Sequence, residues 1–138
     1  MEARSMIEFE AVSKTYPGGV RAVRELTLSV AEGETVVLLG TSGSGKTTTM
    51  KMVNRLIEPT SGTIRINGVD IMHQRPIALR RSIGYAIQHI GLFPHMTIGE
   101  NISVVPMLLA WSADMISARV DELLAMVGLE PDEYRDRW

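Results

Sequence analysis

The stretch Gly40-Thr41-Ser42-Gly43-Ser44-Gly45-Lys46-Thr47 decides the fold, because it matches the phosphate-loop pattern G-x-x-x-x-G-K-[ST]. Gly43 and Gly45 allow successive backbone N–H groups to turn inward as a nest for an anion. The positive end of the following helix adds its unpaired N–H groups. Lys46 is predicted to bridge the β- and γ-phosphates of a nucleoside triphosphate, and the Thr47 hydroxyl to bind Mg²⁺.

The residues on either side of this loop favour the same interpretation. Residues 34–39 form a near-continuous apolar run, which is typical of a central strand covered on both faces. Residues 46–56 have helical character. The loop would then lie at the carboxyl end of a strand, where α/β proteins bind ligands. A serine- and glycine-rich connection without a ligand would fit the eight residues alone, but it does not account for their setting.

The rest of the chain changes from β-rich to helical. Alternation of apolar and polar residues predicts an antiparallel β unit before the loop. Residues 76–81 predict one or two helical turns, and the pattern is helical from Thr97 onward. Gly128 is placed to end a helix whose apolar face consists of Ile116, Val120, Leu123, Leu124 and Val127. Strands are predicted for residues 7–12, 20–30, 34–39, 63–68 and 83–87.

Composition excludes several classes of function. The chain of 138 residues has room for one domain, and its net charge of -2 does not indicate a nucleic-acid partner. It has no cysteine, so disulfides, thiolate metal sites and a cysteine nucleophile are excluded. The three histidines lack metal-ligand spacing. The longest apolar stretch, residues 102–113, is interrupted by Pro106 and is too short to cross a bilayer.

Two residues outside the loop are further candidates for a nucleotide site. Tyr16 stands in a turn before the loop, where its ring could stack on a base. Gln88 ends the predicted strand 83–87, where its amide could reach a metal ion or orient a water. Each also has a simpler interpretation when taken alone, Tyr16 as an aromatic residue of the core and Gln88 as a solvated loop residue.

Tyr16, the phosphate loop and Gln88, in this order and at these separations, resemble the nucleotide-binding domain of ABC transporters. In that family an aromatic A-loop residue stacks on adenine, the Walker A loop holds ATP, and a Q-loop glutamine contacts Mg²⁺ and the attacking water. The resemblance implies that Tyr16, the Walker A residues and Thr48 bind ATP. It further implies that Thr47 and Gln88 hold Mg²⁺, and that Lys46 and Gln88 take part in catalysis. A GTPase fits less well, since no Asn-Lys-x-Asp element is present.

Residues 40–56 and 84–97 resemble the osmoprotectant branch of this family, which imports solutes such as glycine betaine, choline, carnitine or proline into bacteria. The resemblance implies a peripheral protein on the cytoplasmic face of the inner membrane, with no nucleic-acid partner. A transmembrane permease subunit would contact residues 88–101, a second ATPase subunit would complete a dimer, and a substrate-binding protein would act indirectly.

The family also has a Leu-Ser-Gly-Gly-Gln signature and a Walker B strand carrying acidic residues, and the 138 residues contain neither. The expected fold is therefore an α/β P-loop NTPase core of the ABC type with an N-terminal antiparallel β unit and the start of a helical subdomain, truncated before the signature motif. Residues 1–99 would form the ATP-binding core and residues 100–138 the incomplete helical subdomain. Two alternatives stay open: a truncated, non-catalytic nucleotide-binding module, and a non-transport ABC ATPase.

Overall fold

The computed structural model describes residues 5–87 and 91–138 of the chain. The chain divides into two compact units, one ending at Ile83 and the other beginning at Gly84. The first unit holds the β-sheet and the phosphate loop, and the second unit is helical. These units are defined by the compactness of the structure. The domains 1–99 and 100–138 are defined by sequence motifs, and they stay a prediction.

The first unit is built on a four-stranded antiparallel sheet with the strand order β2-β1-β3-β4. Phe9 of the first strand lies opposite Leu28 of the second and Ile64 of the third. Such directly paired residues project from the same face of a sheet, so these apolar side chains form one surface. The predicted antiparallel β unit is thereby confirmed. The strands are β1 (Ser5–Thr15), β2 (Arg21–Ala31), β3 (Ser61–Ile66) and β4 (Val69–Asp70).

One buried cluster fixes the helices of this unit to the sheet. Helix α1 (Lys46–Val53) contributes Met52, and helix α2 (Pro76–Arg81) contributes Leu79. Burial of each such side chain is worth about 1.5–3 kcal/mol. Because α1 begins where the phosphate loop ends, this packing also fixes the loop's position against the sheet. The other buried members are Phe9, Val12, Val23, Ile64 and Ile71, the last from the 3₁₀ turn Ile71–His73.

Two of the predicted strands are absent from the described residues. Neither residues 34–39 nor residues 83–87 belong to the sheet, so both strand predictions are wrong for this structure. A strand needs a hydrogen-bonding neighbour, and within residues 5–87 and 91–138 the only sheet is the antiparallel one described above. The apolar run before the loop is consequently open to solvent, with Val37 69% and Leu39 89% exposed.

The described residues of the second unit form three helices, and no helix in the described part of the chain is long and apolar enough to cross a membrane. Thr97 caps the first helix by accepting the Glu100 N–H at 3.2 Å, and Glu100 accepts the Thr97 N–H at 2.7 Å, which together form a capping box. Ser112 caps the second helix. The helices are α3 (Ile98–Leu108), α4 (Ala113–Met126) and α5 (Pro131–Tyr134).

The C-terminal end of α4 agrees with its predicted glycine stop. Gly128 has a φ of 77°, and its N–H donates to the Ala125 carbonyl at 3.0 Å. Val120 and Leu124 of the predicted apolar face are buried, but Val127 is 69% exposed. The interpretation of Val127 as part of that face is wrong, because the helix ends at Met126 and Val127 lies in its C-terminal cap.

Residues that come much later in the chain accept hydrogen bonds from the N-terminus of α3. The Ile98 N–H donates to the Arg137 carbonyl and the Gly99 N–H to the Arg135 carbonyl, both at 2.8 Å. A Cβ at position 99 would lie 3.0 Å from the Arg135 oxygen, so Gly99 permits this close approach. The Arg135 side chain also reaches α4, where it pairs with Asp121 at 2.8 Å. The segment after α5 thus joins the first two helices of the unit.

Candidate functional site

The phosphate loop leads directly into the N-terminus of α1, as the sequence predicts. Gly45 is the N-cap residue, and no side chain caps the N–H groups of the first turn. The Thr49 N–H starts the helical ladder by donating to the Gly45 carbonyl at 2.8 Å. An uncapped helix N-terminus carries unpaired donors and a partial positive charge, which fits a bound anion.

Gly43 and Gly45 meet different constraints in the loop. Both have positive φ, 82° at Gly43 and 91° at Gly45. A Cβ at Gly43 would meet nothing within 4 Å, so only its backbone conformation favours glycine. A Cβ at Gly45 would lie 2.3 Å from the Ala22 carbonyl oxygen of β2, which no side chain can accommodate. The sheet therefore approaches the loop backbone at Gly45.

The Lys46 ammonium lies against the inner side of the loop. Its Nζ donates to the Gly40 carbonyl at 2.7 Å, the Thr41 carbonyl at 2.8 Å and Ser44 Oγ at 3.1 Å. All three acceptors belong to the loop itself, so the cation is held where an anion would enter. The loop carbonyls and the hydroxyl can be exchanged for phosphate oxygens, which are stronger acceptors for an ammonium group. The residues present therefore fit a polyphosphate.

A small cavity of about 140 Å³ adjoins this part of the loop. Ala22 of β2 lines it together with residues 43–48. Thr47, the predicted Mg²⁺ ligand, is exposed here. Sequence reasoning missed Ala22, because nothing in the alternation of β2 shows which of its residues meets the loop.

Tyr16 lies close to the phosphate-loop helix. Its hydroxyl is 3.2 Å from Thr48 Oγ1 on α1, so the structure brings these two predicted site residues together. The Tyr16 N–H also donates to the Val20 carbonyl at 2.9 Å, which closes the turn between β1 and β2. The ring is half-buried. The sequence gives no sign of the bond to Thr48, because it joins residues that are 32 positions apart.

Gln88 lies outside the described residues. Residues 93–97 are held to α3 through Asn101, whose Oδ1 accepts the Phe93 N–H at 2.7 Å. The Asn101 amide group also donates to the Met96 carbonyl at 3.1 Å and the Thr97 carbonyl at 2.9 Å. The end of the predicted permease-contacting segment is thus ordered by hydrogen bonds within its own unit.

Two relatives illustrate the similarity in sequence. The carnitine transport ATP-binding protein OpuCA of Listeria monocytogenes is 59% identical over 96% of this chain and 33% of its own length. The glycine betaine uptake system ATP-binding protein YehX of Escherichia coli is 52% identical over 96% of this chain and 42% of its own length. The chain therefore spans about a third of the length of the first of these relatives and less than half of the second.

The fold is also similar to that of a solved structure. A dimeric, post-hydrolysis structure of an ATP-binding cassette bound to ADP and Pi superposes with a TM-score of 0.82 at 29% identity. The match covers 96% of this chain and 61% of that chain. The sequence profile described as ABC transporter matches residues 23–137, which include the whole phosphate loop. On this evidence, the chain belongs to the ABC transporter family.

Proposed function

We propose that the phosphate loop binds ATP together with Mg²⁺. The observation that carries this proposal is that the Lys46 ammonium and the uncapped N-terminus of α1 meet at one loop. Lys46 would pair with the β- and γ-phosphates, and the backbone N–H groups of residues 43–47 would surround them. Thr47 and Gln88 would hold Mg²⁺, which neutralises phosphate charge when bound.

Tyr16 would provide the stacking surface for adenine. It is joined to α1 by the bond to Thr48, so the base-binding ring and the phosphate-binding helix have a fixed separation. Base–aromatic stacking is worth about 1–3 kcal/mol. Discrimination between ATP and base-free polyphosphates would then depend on this ring.

In a subunit of the relatives' length, this ATP site would power the import of an osmoprotectant. The names of the two sequence relatives, for carnitine transport and glycine betaine uptake, support this choice of solute class. Gln88 would orient the attacking water, and residues 88–101 would contact a transmembrane permease. The protein would act as a dimer at the cytoplasmic face of the bacterial inner membrane, and a substrate-binding protein would deliver the solute to the permease. The dimeric cassette structure supports the pairing of two such subunits.

A second candidate function is a nucleotide-binding module without turnover. It is favoured by one observation: the 138 residues contain neither a Leu-Ser-Gly-Gly-Gln signature nor a Walker B carboxylate pair. Hydrolysis also needs a carboxylate that deprotonates the attacking water, and neither the loop nor Gln88 supplies one. The chain of 138 residues would then bind ATP and retain it.

Substitution of Lys46 tests the binding proposal. We expect Lys46→Ala to weaken ATP binding at least about tenfold, because a charge-assisted contact to a polyanion is lost. Lys51→Ala is the matched control, since it removes the same charge from another face of α1. Equilibrium titration with a fluorescent ATP analogue measures both. Equal affinities of Lys46→Ala and the unsubstituted protein would refute the phosphate-loop assignment.

A further inference from the structure

The Tyr16 side chain is held at both of its ends. At the backbone, the Tyr16 N–H donates to the Val20 carbonyl at 2.9 Å, and the Tyr16 carbonyl accepts the Gly19 N–H at 3.1 Å. At the tip, the hydroxyl is within 3.2 Å of Thr48 Oγ1. The ring therefore has a defined orientation before any base reaches it.

One face of this ring is covered by a cation. Lys14 Nζ lies over the ring at 5.4 Å from its centroid, within the range of about 6 Å for a cation–π interaction. The same Nζ donates a hydrogen bond of 2.7 Å to the Glu58 carbonyl. The ammonium cannot leave the ring without losing a bond to the backbone.

The carbonyl that holds Lys14 is itself fixed to β1. Two residues after Glu58, the Thr60 N–H donates to the Ser13 carbonyl at 2.8 Å. Thr60 Oγ1 accepts the Thr15 N–H at 3.0 Å. The segment that follows α1 is thus tied to the same strand end that carries Lys14 and leads to Tyr16.

We infer that Lys14 is a positioning residue for base recognition: its ammonium occupies one face of Tyr16 and leaves the opposite face for adenine. The inference rests on the proposed function, since it takes Tyr16 as the stacking surface. The cation draws the ring's π electrons toward its own side, so the opposite face becomes a better partner for the electron-rich purine. It also keeps the base from stacking on the wrong side of the ring.

The test compares ATP with inorganic triphosphate, which carries the phosphates but no base. Isothermal titration calorimetry on the full-length protein gives both affinities. Lys14→Met removes the cation and keeps an unbranched side chain that is one atom shorter, and Lys14→Arg keeps a cation. Lys14→Gln retains a donor for the Glu58 carbonyl without the charge, and Lys51→Met is the control for loss of one positive charge on α1.

We expect Lys14→Met and Lys14→Gln to lower the affinity for ATP about two- to fivefold and to leave the affinity for triphosphate unchanged. Lys14→Arg and Lys51→Met should bind both ligands like the unsubstituted protein. Unchanged ATP affinity in Lys14→Met, or an equal loss of affinity for both ligands, would refute the role of Lys14 and leave the proposed function unaffected. If the unsubstituted protein bound ATP no better than triphosphate, the stacking role of Tyr16 in the proposed function would fail as well.

Discussion

At the scale of single residues, the two glycines of the loop carry separate constraints. Gly43 is required for its backbone conformation, since a side chain there would point into open space. Gly45 has the same kind of conformation and also stands against the Ala22 carbonyl. The eight-residue pattern requires glycine at position 45 and leaves position 43 open, and of these two glycines only Gly45 is also constrained by the sheet.

This difference predicts unequal costs of substitution. Gly43→Ala should destabilise the fold by about 1–2 kcal/mol, the cost of a left-handed backbone at a residue with a Cβ. Gly45→Ala should cost more than about 2 kcal/mol, because the added Cβ also overlaps the Ala22 oxygen. Urea unfolding followed by circular dichroism measures both free energies. Equal costs would mean that the close approach of β2 to the loop does not constrain the fold.

Tyr16 combines a ring contact with a hydrogen bond, so its substitutions should separate the two. Tyr16→Ala is expected to weaken the binding of ATP by about 1–3 kcal/mol, because the stacking surface is lost. Tyr16→Phe keeps the ring and loses only the bond to Thr48, which is worth about 0.5–1.5 kcal/mol, so its effect should be smaller. Titration with ATP measures both variants, and Thr48→Val tests the same bond from its other end. If Tyr16→Phe bound ATP as weakly as Tyr16→Ala, the proposal that Tyr16 stacks on adenine would be contradicted.

At the scale of elements, the sequence predicts well those features that depend on neighbouring residues. It predicts poorly those that depend on residues far apart in the chain. Helix α1 and its loop follow from neighbouring residues, and the glycine end of α4 does so too. The strand at residues 34–39 depends on a pairing partner, which the apolar run itself cannot reveal. The contacts of Tyr16 with Thr48 and of Lys14 with the Tyr16 ring are likewise set by tertiary packing, so sequence spacing indicates neither of them.

The exposed run at residues 34–39 predicts self-association of the 138-residue chain. Apolar side chains that are not packed favour pairing with another copy. The double substitution Val37→Lys with Leu39→Lys should therefore lower the apparent mass measured by size exclusion with light scattering. Ile77→Lys is the control, because Ile77 on α2 is similarly exposed at 65%. The same decrease in both variants would show a general charge effect instead.

At the scale of the molecule, binding and turnover depend on different parts of the family's machinery. The phosphate loop, α1 and Tyr16 all lie in the unit that ends at Ile83. The carboxylates and signature motif that the family uses for hydrolysis are not among the 138 residues. A chain that has the phosphate loop, α1 and Tyr16 but lacks these catalytic motifs retains the groups that bind the nucleotide in its ground state.

We therefore predict that the 138-residue chain binds ATP without steady turnover. Phosphate-loop groups surround the phosphates but do not activate the attacking water. Addition of more copies should not change this, since each copy has the same set of residues. A phosphate-release assay at saturating ATP measures the rate, with Lys46→Ala as the background. Steady release that Lys46→Ala abolishes would show that the chain carries catalytic groups of its own.

The bonds that close the start of α3 have a consequence for the order in which the chain folds. During synthesis, all residues of the first unit's sheet and core are present once Ile83 has been added. The N–H groups of Ile98 and Gly99 gain their acceptors only after the ribosome has added Arg135 and Arg137. A nascent chain that ends at Met126 would hold α3 and α4 without the segment that joins them. We therefore expect the helical unit to be completed later in synthesis than the unit that carries the phosphate loop.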